Sequence, residues 1–222
     1  MRPLQTRKLL AEDVADRIRE EILSGGFGQG ERLVEASIAQ QLGVSRGPVR
    51  EAFKLLRAEG LVLEVPHRGT FVLRLTSADV REIYDLRAGL EARAAKQVAA
   101  SARVADLRTM RRLLERLLQA AEGGDVAVVS QADLAFHEGV CRLTGNRRLH
   151  EVFMRHVPVL RNLMKLDEFI YASLDDVAVE HEPLMAALES ADPGLAAARF
   201  EGHVERARDQ VATYIDALPD HP

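Results

Sequence analysis

The chain has 222 residues, of which 47% are hydrophobic and 29% charged, with a net charge of −4. That balance excludes a disordered chain, because it supplies enough aliphatic side chain for a sizeable core. A single cysteine, Cys141, excludes an intramolecular disulfide framework, and no apolar leader or membrane-length apolar run is seen, so a cytoplasmic soluble protein with no membrane partner is expected.

The first segment mixes helix and strand signals. Leu10, Val14, Ile18 and Ile22 recur every four residues, which predicts a helix that Gly25 and Gly26 stop. A short helix is predicted across Ala36, Ile38, Ala39 and Leu42, with Gly43 turning the chain. Ser45 is placed as the N-cap of a third helix that carries Val49, Ala52, Phe53 and Leu56 inward. Residues 61–65 and 70–73 read as strands joined by Pro66-His67-Arg68-Gly69. Three helices and a hairpin are the order of a winged helix-turn-helix domain, assigned to residues 1–75.

Beyond Leu75 the strand signals disappear. Helical periodicity runs through 77–100, 102–122, 126–143, 148–166, 174–189 and 193–217. Gly123-Gly124-Asp125, Gly145-Asn146 and Asp192-Pro193 each join a stop to a start. The expectation is a mainly α protein whose residues 76–222 form an antiparallel bundle of six or more helices serving effector binding and dimerisation.

Charge is unevenly spread. Residues 46–74 hold six basic and three acidic side chains on an otherwise acidic chain, which suggests a local polyanion contact. A recognition helix presents its N-terminal residues to the DNA major groove. Arg46 and Arg50 lie four apart and share the face opposite Val49 and Phe53. Their forks match guanine or phosphate, and Ser45 can donate to phosphate. The plainer alternative is a solvated face paired with glutamates. At the hairpin tip, His67, Arg68 and Gly69 suit either a minor-groove contact or an ordinary surface turn.

The strings Gly30-Glu31-Arg32-Leu33-Val34-Glu35, Val44-Ser45-Arg46-Gly47-Pro48-Val49-Arg50-Glu51-Ala52 and Arg68-Gly69-Thr70-Phe71-Val72 resemble the winged-helix domain of GntR-type transcription regulators. The resemblance implies operator DNA as partner, contacted by Ser45, Arg46, Arg50 and Gly69. Ala36 is a departure, since the fatty-acid regulator of that family has an arginine there.

A second constellation lies in the bundle. Asp133 and His137 fall within the apolar stripe Val129, Ala132, Phe136 and Val140. His181 falls among Val177, Leu184 and Met185, and His203 among Phe200, Val204 and Ala207. A buried carboxylate must be satisfied, and a divalent transition metal such as zinc, nickel or manganese suits this donor set. Each histidine alone would more often be a hydrogen-bonded core residue. Cys141 reads as a small core residue. Arg87, in the stripe Val80, Ile83, Tyr84 and Leu90, needs either Glu91 four residues on or an anionic effector. Arg161 is a weaker effector candidate of the same kind. No inward Glu, Tyr or Lys is evident beside the quartet, which argues against a metal-dependent hydrolase.

Asp133-Leu134-Ala135-Phe136-His137, Thr144-Gly145-Asn146, Glu180-His181 and His203-Val204 resemble the effector (FCD) domain of the FadR subgroup. That implies the sensing of a small carboxylate, and a homodimer is expected because two-fold DNA readers match palindromic half-sites. A metal sensor, or a purely structural metal without an organic effector, is the rival reading.

Overall fold

The computed structural model describes residues 5–23 and 26–217, so Gly25 lies outside the described residues. The chain divides into two compact units, one running to Arg74 and the other starting at Leu75. No described helix is long and apolar enough to cross a membrane.

The first unit contains α1 (Gln5–Leu23), β1 (Arg32–Leu33), α2 (Glu35–Gln41), α3 (Arg46–Ala58), β2 (Val62–Val65) and β3 (Gly69–Val72). The apolar faces of the helices meet over Val14, Ile18, Ile38, Val49, Phe53 and Leu56. Leu10, expected on that face, is 37% exposed, and Ala11 and Ala15 are buried instead. The three strands form an antiparallel sheet in the order β1-β3-β2, with Arg32 opposite Phe71 and Leu33 opposite Thr70. β1 was not expected, because two residues carry no period. The β2–β3 turn places His67 and Gly69 at φ +62° and +107°. Ser45 has the extended backbone of an N-cap, but its hydroxyl makes no capping bond, so it remains available at the surface.

The second unit contains α4 (Ser77–Ser101), α5 (Val104–Gly123), α6 (Val126–Leu143), α7 (Arg147–Leu163), a 3-10 turn (Met164–Leu166), α8 (Asp167–Ile170), α9 (Leu174–Val179), α10 (Glu182–Glu189) and α11 (Pro193–Ala217). The stop-start signals work as read. Asp125 Oδ1 accepts from the amides of Ala127 and Val128, Asn146 caps α7, and Asp192 Oδ1 accepts from Gly194 and Leu195. The long helices α4 and α11 lie along each other, and α5 pairs with α6. Gly139 permits that second approach, since a Cβ there would stand 2.6 Å from Leu113. Phe136, Phe153, Phe200, Leu114 and Met185 are buried at the centre.

The helix expected over 174–189 is broken at Glu180–His181. Pro183 is the reason: it has no amide to donate and its ring clashes with the carbonyl four residues back, so it sits in the first turn of a new helix. The joint puts His181 at the N-cap of α10. The helix expected over 148–166 ends at Leu163, and the chain continues in single turns.

Candidate functional sites

Arg46 and Arg50 both project from the first turns of α3 into solvent, opposite the buried Val49, Ala52 and Phe53. Arg50 is not free: its Nε donates to Glu35 Oε2 of α2 at 2.8 Å, which raises its already high pKa. At the wing, Arg68 is exposed and its guanidinium lies 5.8 Å from the Phe71 ring centre. Gly69 is exposed as well, and a Cβ on it would stand 3.3 Å from Arg32 Nε. Arg32, brought to the wing by β1, is a cation the sequence reading missed. Ser45, Arg46, Arg50, Arg68 and Gly69 are thus all exposed on this unit.

In the bundle, Asp133, His137, His181 and His203 are all buried and converge from α6, the α9–α10 joint and α11. His137 Nε2 and His181 Nε2 stand 3.1 Å apart. Asp133 reaches His181 Nε2 at 3.2 Å and His137 Nε2 at 3.5 Å. One nitrogen from each of the three imidazoles lies within 4.8 Å of the others.

The surroundings decide which nitrogens carry protons. His181 Nδ1 lies 2.9 Å from the Val177 carbonyl, so it must be a donor. His137 Nδ1 lies 2.5 Å from Glu91 Oε2. Burial opposes ionisation of Glu91, yet Arg87 and His137 hold its carboxyl below the usual range, so Glu91 accepts. Both Nε2 atoms therefore present lone pairs toward each other and toward a carboxylate. Burial also holds His137 below its ordinary pKa, and His203 well below it, with the neighbouring imidazoles adding to the second shift. Burial would raise Asp133, but positive charge on His181 and His137, together with Arg87, holds it below the usual carboxylate range, and a cation bound between neutral rings would act in the same direction.

Such convergence repels unless a proton on one ring or a metal cation sits within it. Two donors about 2.1 Å from one ion stand roughly 3.0–3.4 Å apart, close to the separations seen. Asp133 Oδ1 and His203 Nδ1 are buried and make no hydrogen bond. The donor set therefore fits a divalent metal, with the second nitrogens of His137 and His181 anchored by Glu91 and Val177 in the manner usual for metal-bound imidazole.

Of the two partners weighed for Arg87, the structure shows Glu91. Its Nε donates to Glu91 Oε1 at 2.6 Å, while its buried Nη2 makes no hydrogen bond and stands 4.0 Å from Asp133 Oδ1, a longer ion pair. Arg161 does not join it. That side chain is exposed at the end of α7, because Val157, Leu160 and Met164 take the inward face. The expectation that no inward Glu or Tyr accompanies the quartet is also corrected. Glu91 is fully buried against His137, and Tyr84 and Tyr171 line the same cavity. Glu91 carried a signal, being one turn beyond Arg87. Tyr171 and Asp167 carried none, since they fall in the single-turn segment where no period holds. The cavity has a volume of about 20 Å³, room for one water-sized occupant.

Residues 10–72 match the family described as "Bacterial regulatory proteins, gntR family", and residues 82–206 match the FCD domain. The chain is 36% identical over 200 residues, 90% of its length, to a Paenarthrobacter nicotinovorans protein named "Probable D-xylose utilization operon transcriptional repressor", 87% of which is covered. It is 26% identical to the gluconate operon transcriptional repressor of Bacillus subtilis, with 89% of this chain and 83% of the relative covered. The fold is shared with Escherichia coli McbR/YncC at a TM-score of 0.66 and 24% identity, covering 92% of this chain and 98% of the other.

Proposed function

Because the chain belongs to the GntR family and carries an FCD domain, it is a DNA-binding transcription regulator and not an enzyme, and we propose that it is a homodimer reporting a small organic acid through a metal in its bundle. Asp133, His137, His181 and His203 would hold the ion, which when bound supplies positive charge and open positions for an anionic ligand. Zinc, nickel or manganese each suits imidazole and carboxylate donors. Arg87 supplies the second point of attachment, since the spare Nη2 donor can take a carboxylate oxygen. Ser45, Arg46 and Arg50 contact the operator from α3 and Arg68 and Gly69 from the wing, with a dimer matching two half-sites.

The observation that carries this reading is the convergence of three buried imidazoles on Asp133, with His137 Nε2 and His181 Nε2 3.1 Å apart, together with Arg87 Nη2, which makes no hydrogen bond. The rival without an organic effector draws on the small cavity, which an acid must enlarge. Elemental analysis of protein purified without chelator, paired with operator titrations with and without small carboxylates, tests both. About one metal per chain and an acid-dependent change in operator affinity are expected. Metal far below one equivalent that reconstitution does not restore would overturn the metal. A metal-dependent but acid-independent operator affinity would leave the rival.

A further inference from the structure

Most of the outward cations of α3 already have a carboxylate partner. Arg46, Arg50, Lys54 and Arg57 follow one another along its exposed face. Arg46, at the head, has no ion pair among the described residues. Behind it, Arg50 is bonded to Glu35 of α2 at 2.8 Å, Lys54 to Glu51 of α3 at 2.9 Å, and Arg57 to Glu64 of β2. The last pair closes across a groove of about 130 Å³ between α3 and the sheet, which Arg50, Phe53, Val62 and Thr70 also line. Glu51 lies three residues from its partner, the ordinary pairing of a solvated helix face. Glu64 is different. Side chains alternate along a strand, so Glu64 shares its face of β2 with Val62, which is buried in the core beneath α3, while Leu63 and Val65 take the other face. The strand thus turns its one charge toward the helix and leaves two partly exposed apolar residues facing away.

A recognition helix reads bases through its N-terminal residues. Arg57 stands eleven residues beyond Arg46, about 16 Å further along the axis at roughly 1.5 Å per residue. That is about twice the depth of the major groove, roughly 8.5 Å. It leaves Arg57 with phosphates, and a phosphate contact carries no sequence information. On an operator the base contacts fix where the phosphates lie, whereas on unrelated DNA the protein can slide until Arg57 meets one. A free Arg57 would therefore help unrelated DNA most, because non-specific binding is almost entirely electrostatic. We propose that Glu64 is a specificity-determining residue: it occupies Arg57 and sets a negative charge beside it, withholding a sequence-blind phosphate contact. Discrimination then rises because unrelated DNA is held less tightly, and a repulsive element of this kind serves specificity as well as a new attraction does. This rests on the assignment of α3 as the reading helix, given above.

The test uses the full chain and two labelled duplexes of equal length and base composition, one recovered by this protein from random sequence and one scrambled from it. Both are titrated over a series of salt concentrations. Glu64→Gln should bind the scrambled duplex about threefold or more tighter, with a salt slope steeper by about 1, equivalent to one further phosphate contact. The selected duplex should move by less than about twofold, because its contacts are fixed by the bases. Arg57→Gln added to Glu64→Gln should cancel both the gain and the added slope. Glu64→Thr, which suits a strand, repeats the comparison if the glutamine variant melts earlier than wild type. Equal tightening on the two duplexes would be a general effect of charge and overturns the assignment, as does no tightening on the scrambled one. A gain that survives the loss of Arg57 overturns it as well. So does weaker binding of the selected duplex, which would make the Arg57–Glu64 pair a strap that positions the wing. Arg46→Ala and Arg50→Ala are titrated alongside: wild-type binding of the selected duplex by both would sink the reading role of α3 itself, and the role of Glu64 with it.

Discussion

In the winged helix, Arg50 stands with 60% of its side chain exposed beside the half-buried Glu35, whereas in the bundle Arg87, at 3% exposure, is enclosed with the fully buried Glu91. Both are arginine–glutamate pairs with good geometry, at 2.8 and 2.6 Å. They differ in what surrounds them. Water screens the first pair, so it adds little to stability and can be exchanged for a phosphate or a base at small cost. The second has no water to fall back on, so each partner depends on the other and on whatever fills the cavity. The surface proposed to read DNA is thus built from charges that can be redirected, and the site proposed to sense an acid from charges that cannot.

The sharpest way to break this comparison is to remove one carboxylate from the buried network. Glu91→Ala removes the closest carboxylate from Arg87, leaving it only Asp133 at 4.0 Å, and takes away the acceptor that orients His137. A loss of about 3–5 kcal/mol is expected in denaturant unfolding. A loss under about 1 kcal/mol would mean that the network is solvated and the contrast false.

Metal removal acts on the same network. Stripping with chelator should lower the melting temperature and reconstitution restore it, with a metal at a hundred times its Kd contributing about 2.7 kcal/mol. His203→Ala should abolish that increment. The pH sign follows from the histidines: His137 and His203 titrate below 6.5 when folded. The unfolded chain therefore takes protons first as pH falls through 6.5, and stability is lost toward acid. Protons also compete with metal for the same nitrogens. Asp167 works in the opposite sense. Its folded pKa of about 8 lies above the ordinary 3.8, so its cost grows as pH rises between those values. Asp167→Asn should accordingly raise the melting temperature more at pH 8 than at pH 5. Melting curves at pH 5, 6.5 and 8 check both signs.

At the reading surface the expected effects fall on binding and not on stability. Arg46→Ala and Arg50→Ala should each weaken operator binding by about five- to 150-fold if a bidentate base contact is lost. A phosphate contact would instead lower the salt slope by about 1. The melting temperature should not move in either variant. Wild-type binding by both would show that α3 is not the reader.

The smallest expected effect sharpens the contrast most directly. Glu35→Gln frees Arg50 from its exposed partner. Operator affinity should rise by a few-fold, with a larger proportional gain on unrelated DNA, and unfolding should be unchanged. A clear loss of stability would show that the surface pair behaves like the buried one.

Much of this architecture is legible in one dimension because helices repeat every 3.6 residues and their ends need specific caps. The α3 face, the stops at Gly124 and Gly145 and the start at Asp192 follow from those local rules. The inward placement of Asp133, His137, His181 and His203 follows as well, each from the stripe on its own element. Pro183 carried the signal for the break at His181, although periodicity alone ran straight through it. β1 carried none, since a two-residue strand exists only because β3 lies beside it.

By itself, then, the sequence determined which side chains face inward and which helix presents arginines, since both depend on neighbours within a few residues. Tertiary packing alone decided which buried atoms are left over. Glu91 is 46 residues from His137, and Arg87 is 46 from Asp133, so whether they touch depends on how α4 lies against α6. The same holds for Asp167, whose single-turn helix has no period and whose place in the cavity beside Arg87 and Asp133 is known only once the neighbouring helices are packed. Hydrogen bonds form over about 3 Å, and residues so far apart along the chain come within that distance only through the packing of whole helices.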